Sequence, residues 1–335
     1  MGDSFISGEA GRWQGNSTDA SGSRWGTDRA YLNGTYDAAR VYGWTASNGC
    51  HRSDVAEVVS SSTDVTETEN IACSGATTQN IWRSSAGGQS FKGEVPQADR
   101  LAGIASTHKV KMIVLSIGGN DLGFSDIISA CVEDYVLTRS RCHTAQQSAV
   151  DSKMTAAMSN VGKAIDEIHT VMSANGHPAW TYRLVLQSYS SPLPRAADNQ
   201  LSQIGSGRIN AGCPMYDEDL NWARDSLVPQ LSANLRHVAD THGAEFLDLQ
   251  NALQGHEVCA KGTAKADLQH APSKATSEWF RMVNTGTLQG DMDESLHPNA
   301  FGQKVLGTCL SFVYATAPGD FSCTTQASST GVSRL

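Results

Sequence analysis

Short apolar runs that alternate with long amphipathic segments constrain the fold of this 335-residue chain most strongly. The apolar runs begin at Val110, Arg183 and Glu245, and the first of them, VKMIVLSI, ends at a Gly-Gly pair. Helices are expected over residues 97–108, 146–174, 217–242 and 298–313. Short apolar runs bounded by turn residues are typical of buried parallel strands. The alternation therefore predicts an α/β fold in which helices cover both faces of a parallel sheet.

The chain is expected to form a single domain over residues 1–335, because no repeat, linker or low-complexity tract divides it. Residues 11–50 are rich in Gly, Ser, Thr and Trp, which predicts long loops with a possible helix near 31–41. Residues 315–335 are expected to be a C-terminal tail.

Charge and hydropathy exclude some classes of partner. The net charge of −9 argues against nucleic acid as a partner, since phosphate binding needs clustered Lys and Arg. No run of 18 apolar residues occurs, so no transmembrane segment is predicted.

Cysteine usage favours an oxidising compartment. The chain has eight cysteines and no C-x-x-C pair, which suits four disulfides better than a zinc or redox site. Connectivity does not follow from sequence, although pairing each cysteine with its neighbour closes the shortest loops. The alternative is eight buried free thiols in a cytosolic protein. The cysteines are Cys50, Cys73, Cys131, Cys142, Cys213, Cys259, Cys309 and Cys323.

Two motifs in the first quarter of the chain could serve acyl chemistry. In Gly2-Asp3-Ser4, a serine at the head of a helix-competent segment could expose its hydroxyl beside free backbone N–H groups. In Cys73-Ser74-Gly75, a glycine permits close approach of a ligand to its N–H. Taken singly, a helix cap and a turn beside a disulfide are the more ordinary interpretations.

Of two further motifs, one follows the apolar run that begins at Val110 and the other lies near the C-terminal end of the chain. Asn120 follows Gly118-Gly119, and ligands of parallel sheets bind beyond the carboxyl ends of strands. His297 follows Glu294 by three residues, a spacing at which a carboxylate could orient the ring. A turn and a solvated surface histidine are the respective alternatives.

The four motifs in this order resemble the SGNH (GDSL-type) hydrolase family, over about residues 2–313. The words IACSGAT and GHEVC resemble the secreted actinobacterial lipase and esterase branch in particular. The resemblance implies a three-layer α/β/α fold, flavodoxin-like, with a central parallel sheet of about five strands.

The resemblance also implies residue roles. Ser4 would be the nucleophile, His297 the general base, and the oxyanion hole would comprise the N–H groups of Ser4 and Gly75 and the side chain of Asn120. In that branch successive cysteines are paired, which supports disulfides 50–73, 131–142 and 213–259; a 309–323 pair would be an addition.

Two features depart from the family pattern. Glu294 stands where Asp is usual, so Glu294, Asp293 or a main-chain carbonyl could orient His297. The family places a central strand directly before Gly-Asp-Ser, whereas only Met1 precedes it here; upstream residues and a signal peptide are therefore suspected to be missing.

The function expected is hydrolysis of carboxylic esters, with lipid or acylglycerol esters as substrates and an acyl-enzyme intermediate on Ser4. A carbohydrate acetyl esterase, an acyltransferase and a non-catalytic binding module are the alternatives. No cofactor or metal is expected, and the protein is expected to be a secreted monomer. The side chains of Trp13, Trp25, Trp44 and Trp82 could line a substrate groove or be structural.

Overall fold

The computed structural model describes residues 1–19, 24–284, 290–326 and 329–335. Its strands are β1 (Tyr31–Leu32), β2 (Thr35–Tyr36), β3 (Met112–Leu115), β4 (Arg183–Gln187), β5 (Glu245–Asp248), β6 (Phe321–Gln326) and β7 (Ser329–Arg334). Its α-helices are α1 (Ser4–Ser7), α2 (Ala39–Tyr42), α3 (Thr45–Asn48), α4 (Glu57–Ser60), α5 (Gln97–Ala105), α6 (Gly119–Leu122), α7 (Phe124–Val136), α8 (His143–Ala174), α9 (Gly207–Ala211), α10 (Asp217–Trp222), α11 (Val228–His242) and α12 (Ala300–Ala315).

A five-stranded sheet in the order β3-β4-β5-β6-β7 forms the centre of the molecule. The first four strands are parallel and β7 is antiparallel to β6. Residues 113–115, 184–186 and 246–247 are buried, as expected for strands covered on both faces. The predicted α/β fold is confirmed, with one antiparallel edge strand added.

The long helices pack around this sheet. Helix α8 packs against α5 and α11, and α11 also contacts β4 and β5. Helix α12 packs against α4 and β7. The buried stripe of α8 consists of Val150, Met154, Ala157, Met158, Val161, Gly162, Ala164, Ile165, Ile168, Val171 and Met172.

The helix predicted over 217–242 is interrupted. A π-helical turn over Ala223–Leu227 separates α10 from α11. Pro229 lies in the first turn of α11 and lacks an N–H group, so the regular hydrogen-bond ladder cannot continue through this point.

The helix predicted near 31–41 is wrong over most of its length. Strands β1 and β2 form a hairpin there, and only α2 is helical. The turn consists of Asn33 and Gly34, both with positive φ (52° and 83°), and an Asn-Gly pair is the strongest short signal for such a hairpin.

The C-terminal region is part of the sheet and not a tail as expected. Within 315–335, β6 pairs with β5 and β7 pairs with β6. Phe321 and Cys323 are buried, and the Cys309–Cys323 disulfide ties β6 to α12. This covalent tie and the buried alternate residues hold the segment against the sheet.

All four disulfides join neighbouring cysteines, as predicted. The pairs are 50–73, 131–142, 213–259 and 309–323, with Cα–Cα distances of 4.1, 5.0, 6.4 and 5.9 Å.

The first residues extend the sheet beside β3. Gly2 forms a parallel bridge with Ser116, and the backbone of Asp3 donates to the Ser116 carbonyl at 3.0 Å. A groove of about 400 Å³ lies along β3 and is lined by Met1, Leu101, Val110 and other side chains, but by neither Ser4 nor His297. The expectation of a further strand before residue 1 stays a prediction.

None of the helices in the described ranges combines the length and hydropathy that a membrane crossing needs.

Candidate active site

Ser4 is the first residue of α1, directly beyond the segment that pairs with the end of β3. Asp3 caps this helix, since its Oδ1 accepts a hydrogen bond from the Phe5 N–H at 3.0 Å. The capping role that a serine could have had is therefore filled by its neighbour. A side chain at Gly2 would lie 2.0 Å from the Ser116 carbonyl oxygen, so only glycine lets the chain run this close to the strand. The Ser4 hydroxyl is therefore not used for capping, and it lies at the carboxyl end of the sheet.

His297 lies against that hydroxyl. Its Nε2 is 2.7 Å from Ser4 Oγ, although 293 positions separate the two residues in the chain. Its Nδ1 is 3.1 Å from the Ser295 carbonyl oxygen. Because a carbonyl only accepts, Nδ1 carries the proton and Nε2 is left to accept one from the serine.

The loop that carries His297 is held in a sparsely populated conformation. Leu296 has φ of 59°, which costs an apolar L-residue about 1–3 kcal/mol. Two backbone hydrogen bonds with Arg281 compensate, from Leu296 N–H at 2.8 Å and to the His297 carbonyl at 2.9 Å. Asn299 then caps α12 by accepting from the N–H groups of Phe301 and Gly302. The ring is therefore fixed from both sides.

The Glu294 carboxylate does not bind the His297 ring. It is fully buried, and its Oε2 accepts hydrogen bonds from Trp13 Nε1 at 2.7 Å and from the Asp291 N–H at 3.0 Å. Of the three orienting groups considered from sequence, the structure places the main-chain carbonyl on Nδ1. A glutamate side chain is long enough to turn away from the ring and pack beneath the loop.

Gly75 lies in a turn held by the Cys50–Cys73 disulfide. Its φ is 84°, a value that favours glycine. The Ser74 N–H donates to the Cys50 carbonyl at 3.1 Å. Asp121 holds the other end of the turn by accepting from the Thr78 N–H and hydroxyl.

Asn120 reaches the same turn. Its Nδ2 donates to the Ala76 carbonyl at 2.9 Å, which fixes the amide group and leaves its second N–H available. Within the described ranges, the backbone N–H groups of Ser4 and Gly75 have no hydrogen-bond acceptor. Unpaired donors beside a nucleophile can stabilise an oxyanion.

Burial sets the protonation of the site. Desolvation lowers the pKa of His297 from its ordinary value, opposed by the charge of Glu9 and the bond to the Ser295 carbonyl. A neutral ring is the form that can take a proton. Desolvation raises the pKa of Asp3 to about 7, against the hydrogen bond from the Tyr189 hydroxyl.

Sequence reasoning missed three polar residues at this site. Tyr189 donates to Asp3 Oδ2 at 2.6 Å and accepts from the Gly119 N–H at 3.2 Å. Buried Glu9 pairs with half-buried His51, with Oε1 and Nδ1 2.7 Å apart. No motif marks these residues, although Glu9 lies only five positions after Ser4.

The tryptophans fall into two groups. Trp13 and Trp82 are buried, and their indole N–H groups bind Glu294 and the Asn160 carbonyl. Trp25 is half-buried, and Trp44 is exposed, at 62 %. Of these four side chains, that of Trp44 is the most accessible to a ligand.

Among the residues described, no group of three or more His, Cys, Asp or Glu side chains is arranged to hold a metal ion.

Comparison with known proteins gives a consistent picture. The sequence profile of the GDSL-like lipase/acylhydrolase family matches residues 1–305. A curated relative, Lipase 1 of Streptomyces coelicolor, is 27% identical over 193 residues, which cover 57% of this chain and 56% of the relative. The chain thus aligns with little more than half the length of that protein.

Two solved structures align with most of the chain. They are an extracellular lipase from Streptomyces rimosus (20% identity, TM-score 0.47) and phospholipase A1 from Streptomyces albidoflavus (21% identity, TM-score 0.48). Each alignment covers 90% of this chain and 92% of the other.

Proposed function

The chain belongs to the GDSL-like lipase/acylhydrolase family, and from this premise we propose that it hydrolyses carboxylic esters through an acyl-enzyme intermediate on Ser4. The observation that carries the proposal is the contact of 2.7 Å between Ser4 Oγ and His297 Nε2, with the opposite ring nitrogen bound to a carbonyl. A serine hydroxyl becomes a useful nucleophile when a base of this kind accepts its proton.

The chemistry follows from the atoms in place. Oγ attacks the ester carbonyl carbon while its proton passes to Nε2, and the carbonyl oxygen becomes an oxyanion. The N–H groups of Ser4 and Gly75 and the Asn120 amide stabilise that oxyanion. The imidazolium then gives its proton to the leaving alcohol, and water repeats the sequence to release the acid.

Lipid or acylglycerol esters are the proposed substrates. Leu32, Tyr36 and Trp44 expose large apolar surfaces on the segment that follows the first motif, and acyl chains need such surface. The Tyr36 hydroxyl accepts from Arg12 at 3.1 Å, and Arg12 lies 3.9 Å from Glu294 beneath the histidine loop. The apolar segment is thereby joined to the catalytic loop. The four disulfides support action outside the cell.

Labelling with a nitrophenyl phosphonate tests the nucleophile. Ser4→Ala should lose ester turnover by about 10⁴-fold or more and lose the phosphonate adduct, while its melting temperature stays close to wild type. Peptide mass spectrometry should place the wild-type adduct on Ser4. An adduct on another serine, or substantial turnover by Ser4→Ala, would contradict the proposal.

Nitrophenyl esters of different length test the substrate. Decanoate should be turned over with a higher kcat/KM than acetate. The opposite order would favour removal of acetyl groups from carbohydrate.

A further inference from the structure

Glu9 is a buried carboxylate placed by the same short element as the nucleophile. It follows α1, and its backbone N–H donates to the Ser4 carbonyl at 3.2 Å. Its side chain is fully buried. The position of this carboxylate is therefore fixed with respect to Ser4 by a few residues of hydrogen-bonded backbone.

His51 holds the Glu9 carboxylate. Nδ1 of His51 is 2.7 Å from Oε1, and the ring stacks on Tyr42 with centroids 4.6 Å apart. The Tyr42 hydroxyl in turn donates to the Glu9 carbonyl. His51 directly follows Cys50, whose disulfide carries the Gly75 turn. The pair therefore joins the nucleophile segment to the oxyanion turn.

The second carboxylate oxygen of Glu9, Oε2, can still accept a hydrogen bond. Oε2 is buried and, within the described part of the chain, accepts no hydrogen bond of normal geometry, although the Ser74 hydroxyl is near enough to lower the pKa of the carboxyl. Burial raises that pKa, but the hydrogen bond from His51 and the charges of His51 and His297 hold it below its ordinary value. Glu9 is thus an anion in a site with little solvent.

No carboxylate of the described residues binds the His297 ring. Its Nδ1 binds a neutral carbonyl, and Glu294 is bound to Trp13. When Nε2 takes the serine proton, the ring becomes a buried cation. An uncompensated buried cation is costly, and an anion nearby offsets that cost. Glu9 and His297 meet at Ser4, because the Glu9 N–H binds the Ser4 carbonyl and His297 Nε2 contacts Ser4 Oγ. The Tyr42 hydroxyl, which binds the Glu9 carbonyl, also donates to Glu294 Oε1 at 3.2 Å, in the loop that carries His297.

We propose that the Glu9 carboxylate, held by His51, is the counter-charge that stabilises the His297 imidazolium formed during ester turnover. Glu9 is a positioning residue in this scheme, since it acts on the ring through space and touches no reacting atom. The inference rests on the proposed function, because it concerns the charge that appears on the general base.

The charged groups around Glu9, His51 and His297 determine the pKa of His297, which the acid limb of a pH–rate profile would report. The charges of Glu9 and Asp293 raise the pKa of His297 against the effect of burial. The charges of Glu9 and Glu294 raise the pKa of His51, and that of Lys92 lowers it. Because Glu9 favours the protonated form of both rings, its removal should make His297 easier to deprotonate. Removal of His51 should have the opposite effect, since the Glu9 charge would then act on His297 alone.

Glu9→Gln tests the charge at nearly constant shape. We expect kcat to fall about 10- to 100-fold with KM little changed, and the acid limb of kcat/KM to move down by about one pH unit. Glu9→Asp should recover part of kcat and return the limb toward the wild-type position. Glu294→Gln is the matched control, a buried carboxylate at the same site, and should leave the limb in place.

His51→Gln is the second arm, and it decides the matter if Glu9→Gln fails to fold. The amide can still donate to Glu9, so the acid limb should move up. An unshifted limb in folded Glu9→Gln, or in folded His51→Gln, overturns the proposal and leaves the pair a structural role. Wild-type protein without ester turnover or a Ser4 adduct would instead overturn the proposed function, so the two failures are distinguishable.

Discussion

At the scale of single residues, a buried polar cluster supports the loop that carries His297. Arg12 binds Asp28 through two nitrogens, at 2.8 and 2.6 Å, and its guanidinium lies 4.6 Å from the centre of the Trp13 ring. Arg281 stacks on the same ring at 3.6 Å. Glu294 completes the cluster through the Trp13 N–H. The family position before the histidine thus serves the loop's support and not the histidine ring.

A pair of substitutions separates these roles. Glu294→Gln keeps an oxygen that can accept from Trp13, so kcat/KM should fall less than about tenfold. His297→Ala removes the base and should lower it by about 10⁴- to 10⁶-fold. Steady-state kinetics on one nitrophenyl ester measures both. Equal losses would mean that a carboxylate at 294 orients the ring after all.

The sequence indicated the motif residues of the site better than the buried contacts that support them. Ser4, Gly75, Asn120 and His297 were selected because each lies in a motif of recognisable order, and the structure brings Ser4 and His297 into contact. The direction of the Glu294 side chain could not, since a carboxylate three residues before a histidine is compatible with either a bound ring or a buried cluster. That choice depends on Trp13, which lies 281 positions away in the chain.

At the scale of elements, two of the disulfides have different structural roles. The Cys50–Cys73 disulfide closes a loop of separation 23 and holds the turn with Gly75. The Cys309–Cys323 disulfide closes a loop of separation 14 and joins α12 to β6, outside the site. Chain entropy assigns each a similar stabilisation, about 3 kcal/mol.

Serine replacements should separate stability from turnover. Removing either pair should lower the melting temperature to a similar extent. Only the Cys50→Ser, Cys73→Ser variant should also lower kcat, because Gly75 would lose its fixed position beside Ser4. Thermal melts and kinetics at a temperature where both variants are folded provide the measurement. Equal kcat values in the two variants would contradict a role for the first disulfide in the oxyanion turn.

Element prediction succeeded where periodicity was strong. Helix α8 and strands β3 to β5 follow from apolar patterns that burial on the sheet requires. The β1–β2 hairpin was missed because its strands are only two residues long. Strands β6 and β7 were missed because their sequences are mostly polar and contain no apolar run, and β6 is tied by a disulfide to α12. Pairing with the sheet decides the structure of such segments more than local pattern does.

At the scale of the whole molecule, several buried carboxylates favour protonation. Burial raises the pKa of Glu57 to about 8, and those of Glu294 and Asp3 to about 7. Gln187 donates to Glu57 Oε1 at 2.6 Å, while Glu57 Oε2 and Gln187 Oε1 have no hydrogen-bond partner among the residues that the structure describes. A proton on Oε2 would supply the missing donor. The carboxyl is accordingly a hydrogen-bonding group that stays neutral over much of the pH range.

These shifts have a definite sign for stability. The folded state retains protons that the unfolded state has lost, so the free energy of unfolding should fall as pH rises from about 5 to about 8. Glu9 and Glu94, whose pKa values are lowered, act in the opposite sense but on the acid side of that range. Within the range, the lowered pKa values of the Met1 amino group, His256 and His297 oppose the fall, and the three buried carboxyls together outweigh them.

Glu57→Gln mimics the protonated form and can donate to Gln187. Urea unfolding at pH 5 and pH 8 should show a fall smaller than in wild type by up to about 3 kcal/mol. The exposed Glu69→Gln variant is the control and should keep the wild-type difference. A wild-type protein more stable at pH 8 than at pH 5 would mean that Glu57 and its neighbours are ionised in the folded state, with their charges compensated by groups that relax toward them.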